Sequence, residues 1–210
     1  MVQAGVDEAG RGPVIGPMVI ACVVLNSNSV KLLKRVAKDS KKLSPRSREK
    51  VYRTILEVAN EVKIRVVEPL EIDAAVAVRG LNRLEARVTA ELLGQLTSNI
   101  DLVFVDSPDP QPDRYAALVK GFLTRHEINI IAANHAELLY PHVAAASIVA
   151  KVERDNLVTK LKDTYGDFGS GYPSDPKTIA FLRKFMESGV KYPPIVRRSW
   201  RTLLKMNKII

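Results

Sequence analysis

Three acidic side chains raise the question of function. Asp7 and Glu8 stand where a short apolar run meets a glycine-rich turn, within Asp-Glu-Ala-Gly-Arg-Gly-Pro at residues 7–13. Asp106 ends a second apolar run that begins at Asp101 and is followed by Ser107-Pro108. Carboxylates gathered at strand ends repel: a pair ~4 Å apart costs about 4 kcal/mol at an effective dielectric of ~20. A hard divalent cation relieves that repulsion, and an all-oxygen donor set favours magnesium or manganese over zinc. Two such ions roughly 3.5–4 Å apart can activate a water and stabilise the leaving oxygen in phosphodiester hydrolysis. Taken singly, each motif has a plainer use. Asp106 before Ser-Pro equally suits a turn cap, Asp7-Glu8 a solvated pair, and Gly-Arg-Gly a turn that needs no ligand. His126, His135 and His142 have no evident nucleophile partner, so covalent catalysis is not supported.

The charge balance narrows the partner. A formal net charge of +9 and a pI near 9.7 attract polyphosphates. A carboxylate cluster in so basic a protein suits a nuclease, although charge alone equally suits a ribosomal or other non-catalytic binder. The lone Cys22, inside the apolar run from Val19 to Leu25, excludes an internal disulfide and reads as core packing. No apolar run approaches the roughly 20 residues of a membrane helix. The N-terminus lacks the layout of a signal peptide. A soluble, cytoplasmic protein with no membrane partner is expected.

Several elements must position the acids. Strands are predicted at Val2–Asp7, Met18–Asn26, Lys63–Glu68, Asp101–Asp106 and Glu127–Ala133 from apolar runs and alternation. Ser44-Pro45 gives a helix start, and Val51, Ile55, Val58 and Val62 follow at helical spacing. Further helices are predicted around Leu84–Leu96, Asp113–Arg125, Pro141 to about Tyr165, and Lys177–Ser188. One helix lies among the first three strands, which are free to pair antiparallel. The last two strands are reached by helical crossovers and should pair parallel. The expected fold is α/β, a mixed five-stranded sheet flanked by helices with a helical C-terminal section. Residues 1–165 form the expected catalytic domain, and 166–210 a substrate-binding loop, helix and basic tail packed on it. Neighbouring residues on a straight strand face opposite ways, so Asp7 and Glu8 converge only if the chain bends, which Gly10 and Gly12 would allow.

The motifs resemble, in order and across nearly the whole chain, those of type II ribonucleases H of archaeal type. Residues 7–13 are similar to the N-terminal signature of that family. Asp39-Ser40-Lys41-Lys42-Leu43-Ser44, Gly80-Leu81-Asn82 and Val105-Asp106-Ser107 resemble its next blocks. Ala145–Lys151 with Arg154-Asp155, Gly169–Pro176 and Arg198-Ser199-Trp200 resemble its later ones. The resemblance implies a ribonuclease H-like sheet and a two-metal site using Mg2+ or Mn2+, with Asp7, Glu8 and Asp106 as catalytic ligands. The fourth carboxylate, usually aspartate, falls at Glu137, a departure that leaves two readings open. Either the longer side chain reaches the metal, or Glu137 is a surface residue and His135 matters more.

The family also implies how substrate is read. The Gly10-Arg11-Gly12 backbone would lie against ribose and phosphate, and Tyr172 would stack on the following sugar. Lys42, more than Lys41, would touch the backbone. Ser147, Lys151 and Asp155 share one helix stripe, where Lys151 either supports catalysis or phosphate binding or pairs with Asp155. The basic tail from Lys191 would grip duplex further out. The substrates implied are RNA–DNA hybrids and DNA containing a ribonucleotide, cut to 5′-phosphate and 3′-hydroxyl ends, with roles in replication and ribonucleotide excision repair. A monomer is expected. Archaeal members can dock on the sliding clamp through a C-terminal segment, but residues 203–210 lack its glutamine and aromatic pair, so that partner is not supported. Two rivals remain: a DNA nuclease or resolvase on the same sheet, and a non-catalytic nucleic-acid binder.

Overall fold

The structure, a computed structural model, describes residues 2–37, 44–124 and 127–206. Lys41, Lys42, His126 and the tail residues 207–210 lie outside the described residues. The sheet has five strands: β1 (Val2–Ala9), β2 (Met18–Asn26), β3 (Glu61–Val67), β4 (Leu102–Asp106) and β5 (Asn129–Ala133), in the order β3-β2-β1-β4-β5. β1 pairs antiparallel with β2 from Val2↔Asn26 to Ala9↔Val19, and parallel with β4 from Ala4↔Val103 to Val6↔Val105. β4 pairs parallel with β5. The parallel pairings follow from the helical crossovers, as anticipated.

The helices are α1 (Ser27–Ala37), α2 (Pro45–Val58), α3 (Pro69–Ala77), α4 (Leu81–Gly94), α5 (Pro112–Phe122), α6 (Ala136–Leu139), α7 (Pro141–Tyr165), α8 (Pro176–Ser188) and α9 (Arg201–Met206). Two helices, not one, lie between β2 and β3. The signal for α1 is an Asn26 side chain that accepts from the Asn28 and Ser29 amides at 2.9 and 3.0 Å, capping a helix that starts where the strand ends. Ser44 caps α2 as its sequence predicts, its Oγ accepting from the Ser47 amide at 3.2 Å.

The chain folds into two compact units. One comprises Met1–Ala9, Val19–Arg65 and Asn82–Val152; the other comprises Gly10–Met18, Val66–Leu81 and Glu153–Ile210. In the first, β2 is buried from Val19 to Leu25, as befits a strand covered on both faces, and Leu84, Val88, Leu92 and Leu93 of α4 are buried. Cys22 is part of this core, where burial pushes its thiol up to about 12, so it packs rather than reacts. Gly5 lets the first turn of α7 approach β1 closely: a Cβ there would overlap the His142 and Val143 backbone. The second unit has its own core of Val14, Ile15, Val158, Phe168, Leu182, Ile195, Val196 and Leu203.

Candidate active site

The parallel register sets the acids side by side. Val6 of β1 faces Val105 of β4, so the next residues on each strand, Asp7 and Asp106, emerge together at the carboxyl ends of adjacent strands. Strand ends of this kind are where α/β sheets gather ligands. Asp7, Glu8 and Asp106 each offer a carboxylate oxygen, and these three atoms lie within 4.8 Å of one another. The bend expected right after Asp7 is absent, since β1 stays paired with β2 through Ala9. Glu8 joins the cluster without it, which its longer side chain and the end of the β4 pairing at Val6 permit.

The electrostatics carry the mark of crowded, partly buried acids. Asp7 is 7% exposed, and burial pushes its carboxyl up to about 7, with the negative charge of Asp106 adding to the rise. Hydrogen bonds from the Ser147 hydroxyl and the Glu8 amide (2.7 Å), and the positive charge of Lys151, act the other way. Burial also raises the Asp106 carboxyl, and the charge of Glu137 contributes, opposed by a 2.7 Å hydrogen bond from the Ala136 amide. Asp106 therefore accepts from the first amide of the short helix α6, a partner its Ser-Pro context did not suggest, and also presents an oxygen to the cluster.

Glu137 sits in the first turn of α6, half-buried, four residues past Ala133, which pairs with Asp106. Its charge reaches Asp106, but it is not among the three carboxylates that converge within 4.8 Å. His135, left-handed at φ 55°, is exposed and lends Asp106 a small opposing influence. Asn134, which the sequence did not single out, donates to the Ser107 and Asp109 carbonyls at 2.9 and 2.8 Å, tying the loop after β4 to the turn after β5. On α7, Lys151 donates to the Ser147 Oγ at 2.7 Å, and the buried Ser147 bonds Asp7. The Ser147 hydroxyl is a partner that the arrangements open for Lys151 did not include.

The glycine turn belongs to the second unit, and the backbone geometry requires glycine at only one of its two glycine positions. Gly10 has φ +88°, and a Cβ would sit 2.6 Å from the Arg154 Nε and 2.7 Å from the Pro17 carbonyl oxygen. Its glycine is demanded by the fold itself. Gly12 has no such φ, and a Cβ would meet the Tyr172 ring at 3.4 Å. The Tyr172 ring is 40% exposed and rests near the buried Arg154 guanidinium, whose Cζ is 5.5 Å from its centroid. Burial lowers the pKa of Arg154, and its Nε has no hydrogen-bond partner. Gly171, at φ +81°, lets its carbonyl accept from the Val14 and Ile15 amides at 2.8 and 3.2 Å. Arg197, expected on a basic gripping tail, is instead fully buried under this turn. A guanidinium with no exposed surface cannot serve an outer phosphate contact, so the tail's basic face must be read without it.

A mixed five-stranded sheet with helices flanking it, and carboxylates clustered at the ends of its central strands, defines a ribonuclease H-like hydrolase. The chain matches Ribonuclease HII over residues 4–203 and belongs to that family. The Ribonuclease HII of Caldivirga maquilingensis is 50% identical over 205 residues, covering 98% of this chain and 94% of the relative. The crystal structure of ribonuclease H2 from Pyrococcus horikoshii OT3 is similar with a TM-score of 0.90 and 43% identity, covering 100% of this chain and 98% of that one. A ribonuclease HII from Archaeoglobus fulgidus, solved in a complex with PCNA, gives 0.85 and 37% identity over 96% of each chain. The family and fold expected from the motifs are thus correct, and the protein is an enzyme, a ribonuclease H endonuclease.

Proposed function

We propose that this enzyme hydrolyses the RNA strand of RNA–DNA hybrids and cuts 5′ of single ribonucleotides embedded in duplex DNA, leaving 5′-phosphate and 3′-hydroxyl ends. The observation that carries this reading is the convergence of Asp7, Glu8 and Asp106 at the carboxyl ends of β1 and β4 in a chain of this family. The donor set fits divalent ions: it is all oxygen, and burial, with the neighbouring Asp106 charge adding to it, raises Asp7 to about 7, so its carboxylate is a disfavoured charge that a bound cation would relieve. Asp7, Glu8 and Asp106 would hold two Mg2+ or Mn2+ ions, with Glu137 beside Asp106 as a fourth carboxylate. When bound, such ions supply an activated water and offset charge on the leaving oxygen.

The chain's own groups prepare that site. Ser147, fixed by Lys151, orients the Asp7 carboxylate, and the Ala136 amide orients Asp106. Gly10, Arg11 and Gly12 present backbone and a guanidinium to ribose and phosphate, and Tyr172 stacks on the adjoining sugar. Lys42 is assigned to the nucleic-acid backbone on its motif position alone. The test is a magnesium-dependent cleavage assay on three duplexes: DNA holding one ribonucleotide, an RNA–DNA hybrid, and all-DNA, with Asp7→Asn as control. Cleavage of the first two only, lost in the control, is expected. Cleavage of all-DNA with none of the hybrid makes it a DNA nuclease, and binding without cleavage makes it a non-catalytic binder; either outcome ends the proposal.

A further inference from the structure

Beneath the Gly10-Arg11-Gly12 turn lies a set of donors that no recognition role explains. Arg197 is fully buried, yet its guanidinium spreads over three backbone carbonyls: Nη2 donates to Gly10 at 2.6 Å, Nη1 to Arg11 at 3.0 Å and Nε to Gly16 at 2.9 Å. The Trp200 ring lies against that guanidinium, 4.8 Å from Cζ to centroid, and its Nε1 donates to the Gly12 carbonyl at 2.9 Å. Three consecutive carbonyls are therefore drawn to one side. A side chain that spends a planar fork of donors on three points of one loop fixes orientation as well as place.

The consequence follows from peptide geometry. Every peptide among the described residues is trans, and in a trans peptide the C=O of one residue and the N–H of the next point in opposite directions. With the Gly10 and Arg11 carbonyls held on Arg197, the Arg11 and Gly12 amides are directed the other way. The third peptide, from Gly12 to Pro13, has no N–H to present. The turn thus offers two adjacent, like-oriented amide donors, the usual backbone device for binding an anionic or hydroxyl oxygen.

We infer that Arg197 and Trp200 are positioning residues for substrate: Arg197, holding the carbonyls of Gly10 and Arg11, aims the Arg11 and Gly12 amides at a ribose hydroxyl or phosphate oxygen, and Trp200, bonded to the Gly12 carbonyl and packed against the guanidinium, braces the turn that presents them. This rests on the ribonucleotide-reading role proposed above for the turn. It also gives the sequence Arg197-Arg198-Ser199-Trp200 a purpose distinct from gripping duplex by charge.

Two variants test it, both in the full chain. Trp200→Phe keeps a ring over Arg197 and removes one hydrogen bond. Arg197→Lys keeps a positive charge and loses the fork. Binding to duplex DNA with one ribonucleotide and to all-DNA duplex is measured in Ca2+, alongside Mn2+ affinity by calorimetry and KM and kcat in Mg2+. One lost hydrogen bond corresponds to roughly a 3- to 10-fold weakening, and more for Arg197→Lys. The expected result is that weakening for the ribonucleotide duplex, carried in KM, with all-DNA binding and Mn2+ affinity unmoved. Hydrogen exchange across residues 10–17 should quicken in the same variants. If Arg197→Lys does not fold, Trp200→Phe decides alone. Equal losses on both duplexes, a parallel loss of Mn2+ affinity, or no change in Trp200→Phe overturns the inference. If instead the parent itself shows no preference for the ribonucleotide duplex, the reading of the turn fails, whatever the variants do.

Discussion

Replacing Asp7 with asparagine should stabilise the metal-free protein at alkaline pH while abolishing its activity. Asp7 is 7% exposed and its carboxyl is raised from 3.8 to about 7. The folded state therefore keeps a proton between pH ~4 and ~7 that the unfolded chain has released, so the parent's stability falls as pH rises through that window. Asparagine does not titrate, and its oxygen can still accept from the Glu8 amide and the Ser147 hydroxyl. Only the charge and its desolvation are removed. From pH 5 to pH 8 the advantage of Asp7→Asn over the parent should grow by about 3 kcal/mol, the two pH units from 5 to the raised pKa taken at ~1.4 kcal/mol each. Urea denaturation in EDTA at the two pH values measures it, and comparing variant with parent cancels the titrating groups that do not interact with Asp7. Saturating Mg2+ should then erase most of that advantage at pH 8, since only the parent gains ~3 kcal/mol at a hundredfold excess over Kd. A constant difference between pH 5 and pH 8, or a parent that gains stability over that range, would show that Asp7 is not held at a charge-disfavouring site.

Other substitutions separate the roles of single residues. Gly10→Ala should cost about 2–4 kcal/mol in urea denaturation, because it meets both a left-handed φ and the Arg154 side chain, whereas Gly12→Ala should cost under about 1 kcal/mol. Equal costs would refute that division. Gln in place of Glu137 should lower Mg2+ affinity on the order of 10-fold if the carboxylate is a ligand; unchanged metal-dependent turnover removes it from the site. Tyr172→Ala should leave the fold intact and reduce cleavage at a single ribonucleotide more than within a long hybrid. Equal cleavage of the two substrates by parent and variant alike would end the stacking role.

The sequence made legible whatever depends on local pattern. Met18–Asn26 is a strand of the residues predicted, α7 runs from Pro141 to Tyr165, and the other strands fall within two residues of their expected ends. The helices that escaped notice lack such a pattern or hide behind another. In α3, Leu70 is 80% exposed while Ile72 is buried, so the nine-residue helix has no continuous apolar stripe. Its Asp73 is used at a distance instead, accepting from the Arg198 and Ser199 amides at 2.7 and 3.0 Å. The cap of α1 was readable in Asn26-Ser27-Asn28-Ser29, but the same asparagine also ends β2.

The site divides along the same line. Ligand types and the turn were visible because their chemistry is written in the residues themselves. Their supports were not: Ser147 on Asp7, Asn134 under Ser107 and Arg197 beneath Gly10 are each defined by a contact across 27 to 187 positions. Arg197 shows the cost of reading charge without burial. In the sequence it is one more cation in a basic tail; in the structure its donors are consumed by backbone carbonyls, and none of its surface reaches solvent. A buried guanidinium whose donors were lost would leave its carbonyls without partners, at about 1–3 kcal/mol for each such group. That penalty is why a positively charged side chain can be retained where a phosphate cannot reach it, and why its removal should be felt first in the turn it holds.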